Sequence, residues 1–238
     1  MKNLKLALAG LMVVSFAACG SGGGHDGVDN IKPAINRGIT ITNSKYENPK
    51  TKDSSVTKGN TLTVDGKHRI GLKSDDKNIR NIENNGTINV KNSNSIGMVV
   101  RDKSNKGFNN KGSNIDVNGK YSFGMYSNGE KAEITNNGNI NLNGNDQVGM
   151  YAGNHSNATN NGTIDLTKAH NGVGMWADNH ATITNSKNGV IILPGSGQDI
   201  TDNTGIKNGE LGHGNHGNIG MKATNHGKIV NKGHIEFK

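Results

Sequence analysis

The sequence predicts an all-β protein, a parallel β-helix (β-solenoid) of about seven coils with about 25 residues in each coil. Three observations predict this fold. Two short motifs recur along the chain, apolar residues alternate with polar ones inside each motif, and Asn and Gly hold fixed places between the apolar positions. Alternation with a period of two residues is typical of strands, and no segment after residue 18 carries a helical stripe.

The first motif is I-x-N-x-G-x-I. Its copies lie at 82–88, 134–140, 158–164 (where Ala replaces the first Ile) and 229–235, with looser copies at 108–115 and 183–191. In the first copy Ile82, Asn84 and Ile88 share one parity with Gly86, so all four positions are predicted to face the coil interior. Stacked Asn amides on successive coils would hydrogen-bond into a ladder, and Gly would allow the left-handed backbone of a corner.

The second motif is an apolar residue followed by Gly-Met. It occurs at 96–98, 123–125, 148–150, 173–175 and 219–221, with Ile-Gly-Leu at 70–72 as an early variant. The glycines from Gly97 to Gly124, Gly149 and Gly174 are 27, 25 and 25 residues apart, and the last step, to Gly220, is 46. A unit of about 25 residues that holds short strands is one solenoid coil, and the long last step predicts an insertion.

The repeats begin after a leader and a tether. Residues 31–238 are predicted to form the β-helix, with loop insertions near 44–58 and 194–217. The pattern stops after one strand at 235–238, so the last coil is expected to leave backbone groups unpaired. Two explanations follow, a truncated fragment of a longer protein or an end that pairs with something else, and the sequence favours truncation.

Residues 1–18 are predicted to be a lipoprotein signal peptide. Lys2 and Lys5 precede an apolar run, from residue 6 to residue 18, that is too short for a permanent transmembrane helix. Small residues come directly before Cys19, the only cysteine, as in a bacterial lipobox, and residues 19–30 hold a Gly-rich tether. We expect Cys19 to be acylated and to hold the protein at the outer membrane. The alternative is an ordinary signal peptide followed by a spare thiol.

The position after Gly-Met carries aromatic residues on three successive coils, Tyr126, Tyr151 and Trp176. If Met125 points inward, alternation turns Tyr126 outward, so the three rings are predicted to stack as an exposed aromatic ladder. Such a ladder would stiffen the sheet. Alternatively, it would be a platform for the sugar rings of host glycans or for a host surface protein.

The sequence predicts no catalytic residues, no cofactor and no metal site. Its acidic residues are scattered, with Asp75–Asp76 as the only adjacent pair, whereas paired acid/base catalysis needs carboxylates about 5–10 Å apart. His213 and His216 have a spacing that could hold a metal. No Cys or carboxylate completes the set, so solvated loop histidines are favoured. The protein is therefore predicted not to be an enzyme.

Composition and charge narrow the choice of partners. Only 31% of the residues are hydrophobic and 4% are aromatic, which is poor material for a compact globule, so order has to come from the repeat. The net charge of +8 favours encounter with anionic glycans, acidic proteins or nucleic acid. No nucleic-acid motif accompanies this charge, so no specific nucleic-acid partner is predicted.

Residues 148–152 (Val-Gly-Met-Tyr-Ala), followed by the motif at 158–164, resemble the repeats of bacterial autotransporter (type V secretion) passengers. The resemblance covers roughly residues 70–238. It implies a right-handed parallel β-helix that is exported through the inner membrane and displayed at the outer membrane or cell surface, where many such passengers are adhesins. The lipobox and tether resemble the start of lipidated subtilisin-like serine protease autotransporters.

The sequence departs from that family in two respects. The protease signatures D-x-G, H-G-T-H and G-T-S-x-A do not occur in it, and no segment fits the membrane β-barrel of an autotransporter. The resemblance therefore implies a lipid-anchored, adhesive surface scaffold without protease activity. The alternative is a truncated remnant of a serine protease autotransporter with no activity of its own.

Overall fold

The computed structural model of the protein describes residues 39–42, 46–47, 53–74, 79–101 and 103–238, with side-chain environments from Ser55 onward. The predicted signal peptide, Cys19 and the tether lie outside the described residues. So do Asp75–Asp76 and parts of the predicted insertion at 44–58.

Short strands make up most of the described chain. The first four are β1 (Ile39–Thr42), β2 (Tyr46–Glu47), β3 (Asp53–Val56) and β4 (Thr61–Val64). Fifteen more follow as β5 (Ile70–Ser74), β6 (Asn81–Asn84), β7 (Thr87–Val90), β8 (Ile96–Val100), β9 (Lys106–Asn109), β10 (Asn114–Val117), β11 (Phe123–Asn128), β12 (Glu133–Asn136), β13 (Asn139–Leu142), β14 (Val148–Gly153), β15 (Asn157–Asn160), β16 (Thr163–Asp165), β17 (Val173–Ala177), β18 (Thr182–Asn185) and β19 (Val190–Leu193). The last are β20 (Ile200–Lys207), β21 (Glu210–His213), β22 (Ile219–Ala223) and β23 (Lys228–Phe237), with a single 3₁₀ turn (Asn215–Gly217) before β22.

Each coil contributes one strand to each of three parallel faces. The first face contains β5, β8, β11, β14, β17 and β22. The second contains β3, β6, β9, β12, β15, β18 and the first half of β23, and the third contains β4, β7, β10, β13, β16, β19 and the second half of β23. Five coils run without interruption from β5 to β19, a sixth (β22 and β23) follows the second insertion, and β3 and β4 form part of a further coil. The predicted parallel β-solenoid is confirmed.

The core is one continuous column of side chains inside the coils. The predicted inward residues Ile82, Asn84 and Ile88 are each 0% exposed. The methionines of the second motif, such as Met125, enter the same core from the first face. Burial of one aliphatic side chain contributes about 1.5–3 kcal/mol at most. Stability is therefore built up coil by coil, from the contacts of each coil with its neighbours.

A ladder of buried asparagine amides runs along the corner between the second and third faces. Its members are Asn84, Asn109, Asn136, Asn160, Asn185 and Asn231. Each of the first five donates from Nδ2 to the Oδ1 of the next, over 2.7–2.9 Å. The first three also donate to a main-chain carbonyl at the start of a third-face strand, over 2.9–3.2 Å. The predicted ladder is confirmed, and it satisfies buried polar groups that would otherwise be costly.

In the strict copies of the first motif, the glycines have a different role from the one predicted. Gly86 and Gly138 do not have the left-handed φ that was expected of a corner. Instead, a Cβ on Gly138 would lie 2.4 Å from the main-chain oxygen of Ser113, in the preceding coil. Gly is needed because the coils stack very closely at this corner. A left-handed φ does occur at this corner in Gly59 (81°) and Gly112 (82°), and at the other two corners it occurs in residues such as Lys131 (60°) and Asp146 (55°).

Gly138→Ala is expected to lower the free energy of unfolding by about 3 kcal/mol, because the added methyl group would overlap main-chain oxygens that cannot move independently. Urea denaturation followed by circular dichroism measures this loss. Gly112→Ala is the matched control: its φ is 82° but nothing lies within 4 Å of the added Cβ, so only backbone strain of about 1 kcal/mol is expected. Equal losses in the two variants would refute close stacking as the reason for Gly138.

Antiparallel strands cover the last coil on all three faces. β20 pairs with β23, from Ile200 opposite Ile235 to Lys207 opposite Lys228, and β21 pairs with β22. At the other end of the described stack, β1 pairs with β4 and β2 pairs with β3, again antiparallel. The segments near 44–58 and 194–217, which were predicted to be loop insertions, contain paired strands among their described residues. The last coil, which was predicted to leave backbone groups unpaired, pairs with β20 and β21.

The strands of the second insertion lack the pattern that reveals the others. Nearly every residue of β20 is exposed, so its sequence shows no alternation of apolar and polar residues. A few apolar side chains nevertheless pack against the end of the core, namely Ile200, Ile206 and Leu211. We call the segment from residue 195 to residue 214 the end cap. Within the described residues no helix has the length and hydrophobicity to cross a bilayer.

Candidate binding surface on the first face

The Gly-Met motif determines which side chains of the first face point outward. A Cβ on Gly124 would meet Ile140 of the core at 2.9 Å, and Met125 also lies in the core. Phe123 and Tyr126, on either side of this pair, belong to a separate cluster. Gly124 and Met125 are thus two adjacent inward positions, and they interrupt the alternation. The residues directly before and after such a pair point outward, so each forms one row of side chains along the outside of the coil.

The two outer rows form a second apolar cluster, which we call the outer strip. One row consists of Ile70, Ile96, Phe123, Val148, Val173 and Ile219, and the other of Val99, Tyr126, Tyr151 and Trp176. The first row has one member on each of the six parallel strands of the first face. The strip is therefore continuous along the stack, and it is distinct from the core that closes each coil.

The predicted aromatic ladder forms in register, but it is not exposed. Tyr126 pairs with Tyr151, and Tyr151 with Trp176. The two Tyr rings are stacked with their centroids 4.8 Å apart, whereas Trp176 meets Tyr151 edge-on at 5.6 Å. The three residues are 3%, 4% and 4% exposed, so the predicted exposure is wrong. Alternation identifies the side of the sheet on which a ring lies, and it does not tell whether water reaches that side.

The buried side chain of Asp178 is hydrogen-bonded to the aromatic ladder. Asp178 is 2% exposed, and its Oδ2 accepts a hydrogen bond from the Tyr151 hydroxyl over 3.1 Å. Its Oδ1 accepts from Thr224 Oγ1 and from Asn225 Nδ2, each over 2.8 Å. Thr224 Oγ1 in turn accepts from Trp176 Nε1 over 2.9 Å. These hydrogen bonds satisfy the polar groups of both Tyr151 and Trp176.

Sequence analysis missed Asp178. It lies two residues after Trp176, where the preceding coils carry Asn128 and Gly153 in the same register. Because the equivalent positions of the preceding coils are not acidic, the repeat pattern of the sequence does not single out this residue. Only the fold brings it within hydrogen-bonding distance of Tyr151, 27 residues away in sequence.

The aromatic row ends in a charged pair at the last coil. Lys222 follows Trp176 in register, and its ammonium group lies 5.7 Å from the Trp176 ring centroid. The same nitrogen lies 3.0 Å from Glu210 Oε1, which belongs to strand β21 of the end cap. The side chain of Lys222 is only 8% exposed, so a partner is required for its charge. The end cap therefore supplies the counter-charge to the outer strip.

Two exposed groups at the coil corners have shifted pKa values. The hydrogen bond from Lys103, whose ammonium lies 3.0 Å away, lowers the pKa of Glu130. The hydrogen bond with Tyr121 raises the pKa of Lys120. Neither Glu130 nor Lys120 belongs to the outer strip, so their titration is not expected to control it.

The histidines considered as metal ligands are exposed. His213 and His216 lie in and after strand β21, on the surface of the end cap segment and the turn that follows it. No group of three or more His, Cys, Asp or Glu side chains in the described part of the chain is arranged to hold a metal ion. The prediction that the protein is not an enzyme is not tested by this arrangement and stays a prediction.

Comparison with known proteins identifies one similar domain family. The family model described as the BigA third pectate lyase-like domain matches residues 102–189, which contain β9 to β18 and all three aromatic residues of the ladder. No curated protein and no solved structure matches the chain. A pectate lyase-like domain fits the right-handed β-helix expected from the sequence, and most parallel crossover connections have this hand. The chain is a β-helix repeat protein.

Proposed function

We propose that this chain is an adhesive scaffold of the bacterial cell surface, anchored in the outer membrane through acylated Cys19. The observation that carries the proposal is the outer strip. A solenoid coil needs only its inward residues to close a core, yet ten further apolar residues line the outside of the first face. This second apolar cluster is buried and is not needed to close the coils, and we attribute it to the binding of a partner at this face.

Two further features support this proposal. The parallel stack is regular, so a partner would meet side chains repeated about every 4.8 Å along it. The similarity to a BigA domain over residues 102–189 falls on the coils that carry the ladder. Because the rings are buried, we propose that a host glycan or surface protein engages the strip after a local opening of the first face. Trp176, the only tryptophan of the chain, would report that opening by its fluorescence.

Adhesion through the strip predicts a charge-sensitive interaction. Phe123 is among the more exposed members of the strip, at 8%, so Phe123→Lys would introduce a charge there while its long side chain still reaches water. We expect residues 25–238 carrying this substitution to bind cultured epithelial cells and immobilised matrix at least about tenfold more weakly, since an apolar contact would bury an unpaired charge. Surface plasmon resonance and cell-binding assays measure the loss.

The control for this experiment is Thr135→Lys, which adds the same charge to the outer side of the second face. Thr135 lies between the buried residues Ile134 and Asn136 and is half-buried. This control is expected to bind like the parent protein, and both variants should retain a cooperative thermal transition. Equal binding by the two variants would exclude the first face as the adhesive surface.

Anchoring through Cys19 predicts a change in location. Wild-type protein expressed in a Gram-negative host should incorporate labelled palmitate and fractionate with the outer membrane, since acyl chains on one residue provide the hydrophobic anchor. Cys19→Ser should lose the label and move to the soluble fraction. Ser21→Ala, two residues away, should behave as the wild type. Retention of Cys19→Ser in the membrane fraction would contradict the lipid anchor, and it would leave the adhesion experiment unaffected.

A further inference from the structure

Three histidines occupy the same corner on the last three coils. His155, His180 and His226 each follow an asparagine, and their φ angles of 61°, 63° and 64° are nearly identical. Their rings are stacked, with centroids 5.0 Å apart for the first pair and 4.8 Å apart for the second, and with interplanar angles of 4° and 14°. All three residues are exposed. We call this set the histidine column.

The backbone fixes the spacing of the column. His155 N–H donates to the carbonyl of Asn179, and His180 N–H donates to the carbonyl of Asn225, each over 3.1 Å. These bonds link consecutive corners, so the three Cα atoms follow the coil repeat. Within the described part of the chain, the structure shows no hydrogen bond from or to the ring nitrogens of these three histidines. Only the side-chain torsions are then free to change.

The ring spacing is that of two imidazoles bound to one metal ion. A ring nitrogen lies about 2.0–2.1 Å from Zn²⁺, so the ring centre lies about 3 Å from the ion. At a tetrahedral angle, two ring centres on one ion are then about 5 Å apart. The column already has this separation. Rotation of two exposed rings about their side-chain bonds, without movement of the backbone, would turn both nitrogens toward a common ion.

We propose that neighbouring histidines of the column bind a divalent transition-metal ion such as Ni²⁺, Cu²⁺ or Zn²⁺. Imidazole is a preferred ligand for all three. Because no third protein group converges there in the described chain, water completes the coordination and the site is a low-affinity, two-histidine site. His180 belongs to both neighbouring pairs, so the column binds one ion at a time.

The experiment uses residues 25–238 and isothermal titration with NiCl₂ and ZnCl₂ near neutral pH. The rings of His170 and His216 form another pair, with centroids 4.5 Å apart, so His170→Asn is included in every protein to remove it. In this background, His180→Asn is expected to weaken binding at least about tenfold, because both pairs are lost. His155→Asn or His226→Asn alone should retain one pair and bind with an affinity within about threefold of the parent.

Asn is the replacement of choice because it tolerates the left-handed backbone of these positions. Circular dichroism melts should therefore agree among the variants without metal. When metal is added, the parent, His155→Asn and His226→Asn should gain thermal stability, and His180→Asn should not. Equal binding by the parent and His180→Asn, or no binding by the parent, would overturn the proposal.

Discussion

Asn136→Ala is expected to lower the free energy of unfolding by about 3–5 kcal/mol, since it removes a fully buried amide from the middle of the asparagine ladder. Asn136 donates to Asn160 Oδ1 over 2.8 Å and to the Thr163 carbonyl over 3.2 Å. Its own Oδ1 accepts from Asn109 Nδ2 over 2.7 Å and from the Gly138 N–H over 3.3 Å. The substitution removes the acceptor of Asn109 Nδ2 and of the Gly138 N–H, and it removes the donor to Asn160 Oδ1. Each buried group left unsatisfied costs about 1–3 kcal/mol.

Urea denaturation of residues 25–238 measures this loss. The matched control is Asn137→Ala, the next residue, whose amide faces outward and accepts one hydrogen bond, from Asn161 Nδ2 over 2.9 Å. Because that bond is only partly buried, the control should lose less than about 1 kcal/mol. Similar losses for the two variants would mean that the inner ladder is no more important than an ordinary surface hydrogen bond.

Removal of the end cap is expected to turn the protein into a self-associating species. The residues on either side of the cap lie next to each other, because Asn215 N–H donates to the Pro194 carbonyl over 2.6 Å. Residues 195–214 can therefore be replaced by two glycines without straining the last coil. The deletion would expose the backbone edges of β22 and β23, together with core residues that Ile200, Ile206 and Leu211 now cover. Unpaired strand edges with an apolar end are templates for pairing with another chain.

Sedimentation velocity and size-exclusion chromatography at micromolar concentration measure the association. The deletion variant should form oligomers whose population grows with concentration, and its melting temperature should depend on concentration as well. Thr204→Ala, which changes one exposed side chain of β20 and keeps its backbone pairing, should behave as the intact protein. A deletion variant with the same concentration-independent sedimentation as the intact chain would show that the cap does not protect the edges.

The repeat makes most of the coil predictable from sequence. Alternation around Ile82 and Asn84 predicts the inward side chains, and the fixed place of Asn in each copy predicts the ladder, because stacking in register brings equivalent residues together. The reason for Gly138 was not predictable in the same way. It depends on the distance to the preceding coil, which is a property of the stack and leaves no separate mark in the local sequence.

The burial of Trp176 and the strands of the end cap escape sequence analysis for related reasons. A period of two assigns a ring to one side of a sheet, and both sides of the first face turn out to be apolar and buried. Strand β20 is exposed and polar, so it resembles a loop in sequence while its backbone pairs with β23. Asp178 and the histidine column lie at coil corners, where contacts arise only between residues on different coils.

The parallel register between successive coils is tested most directly by disulfide cross-linking. Thr135 pairs with Thr159, and Thr159 with Thr184, on the outer side of the second face. In residues 25–238, which contain no native cysteine, cysteines at 135 and 159 would be about 4.8 Å apart between Cα atoms, within the range for a disulfide, whereas cysteines at 135 and 184 would be about twice as far apart and outside it. Mild oxidation should therefore cross-link the first pair and leave the second pair as free thiols. Efficient cross-linking of the 135/184 pair, or none of the 135/159 pair, would contradict the stacked coil.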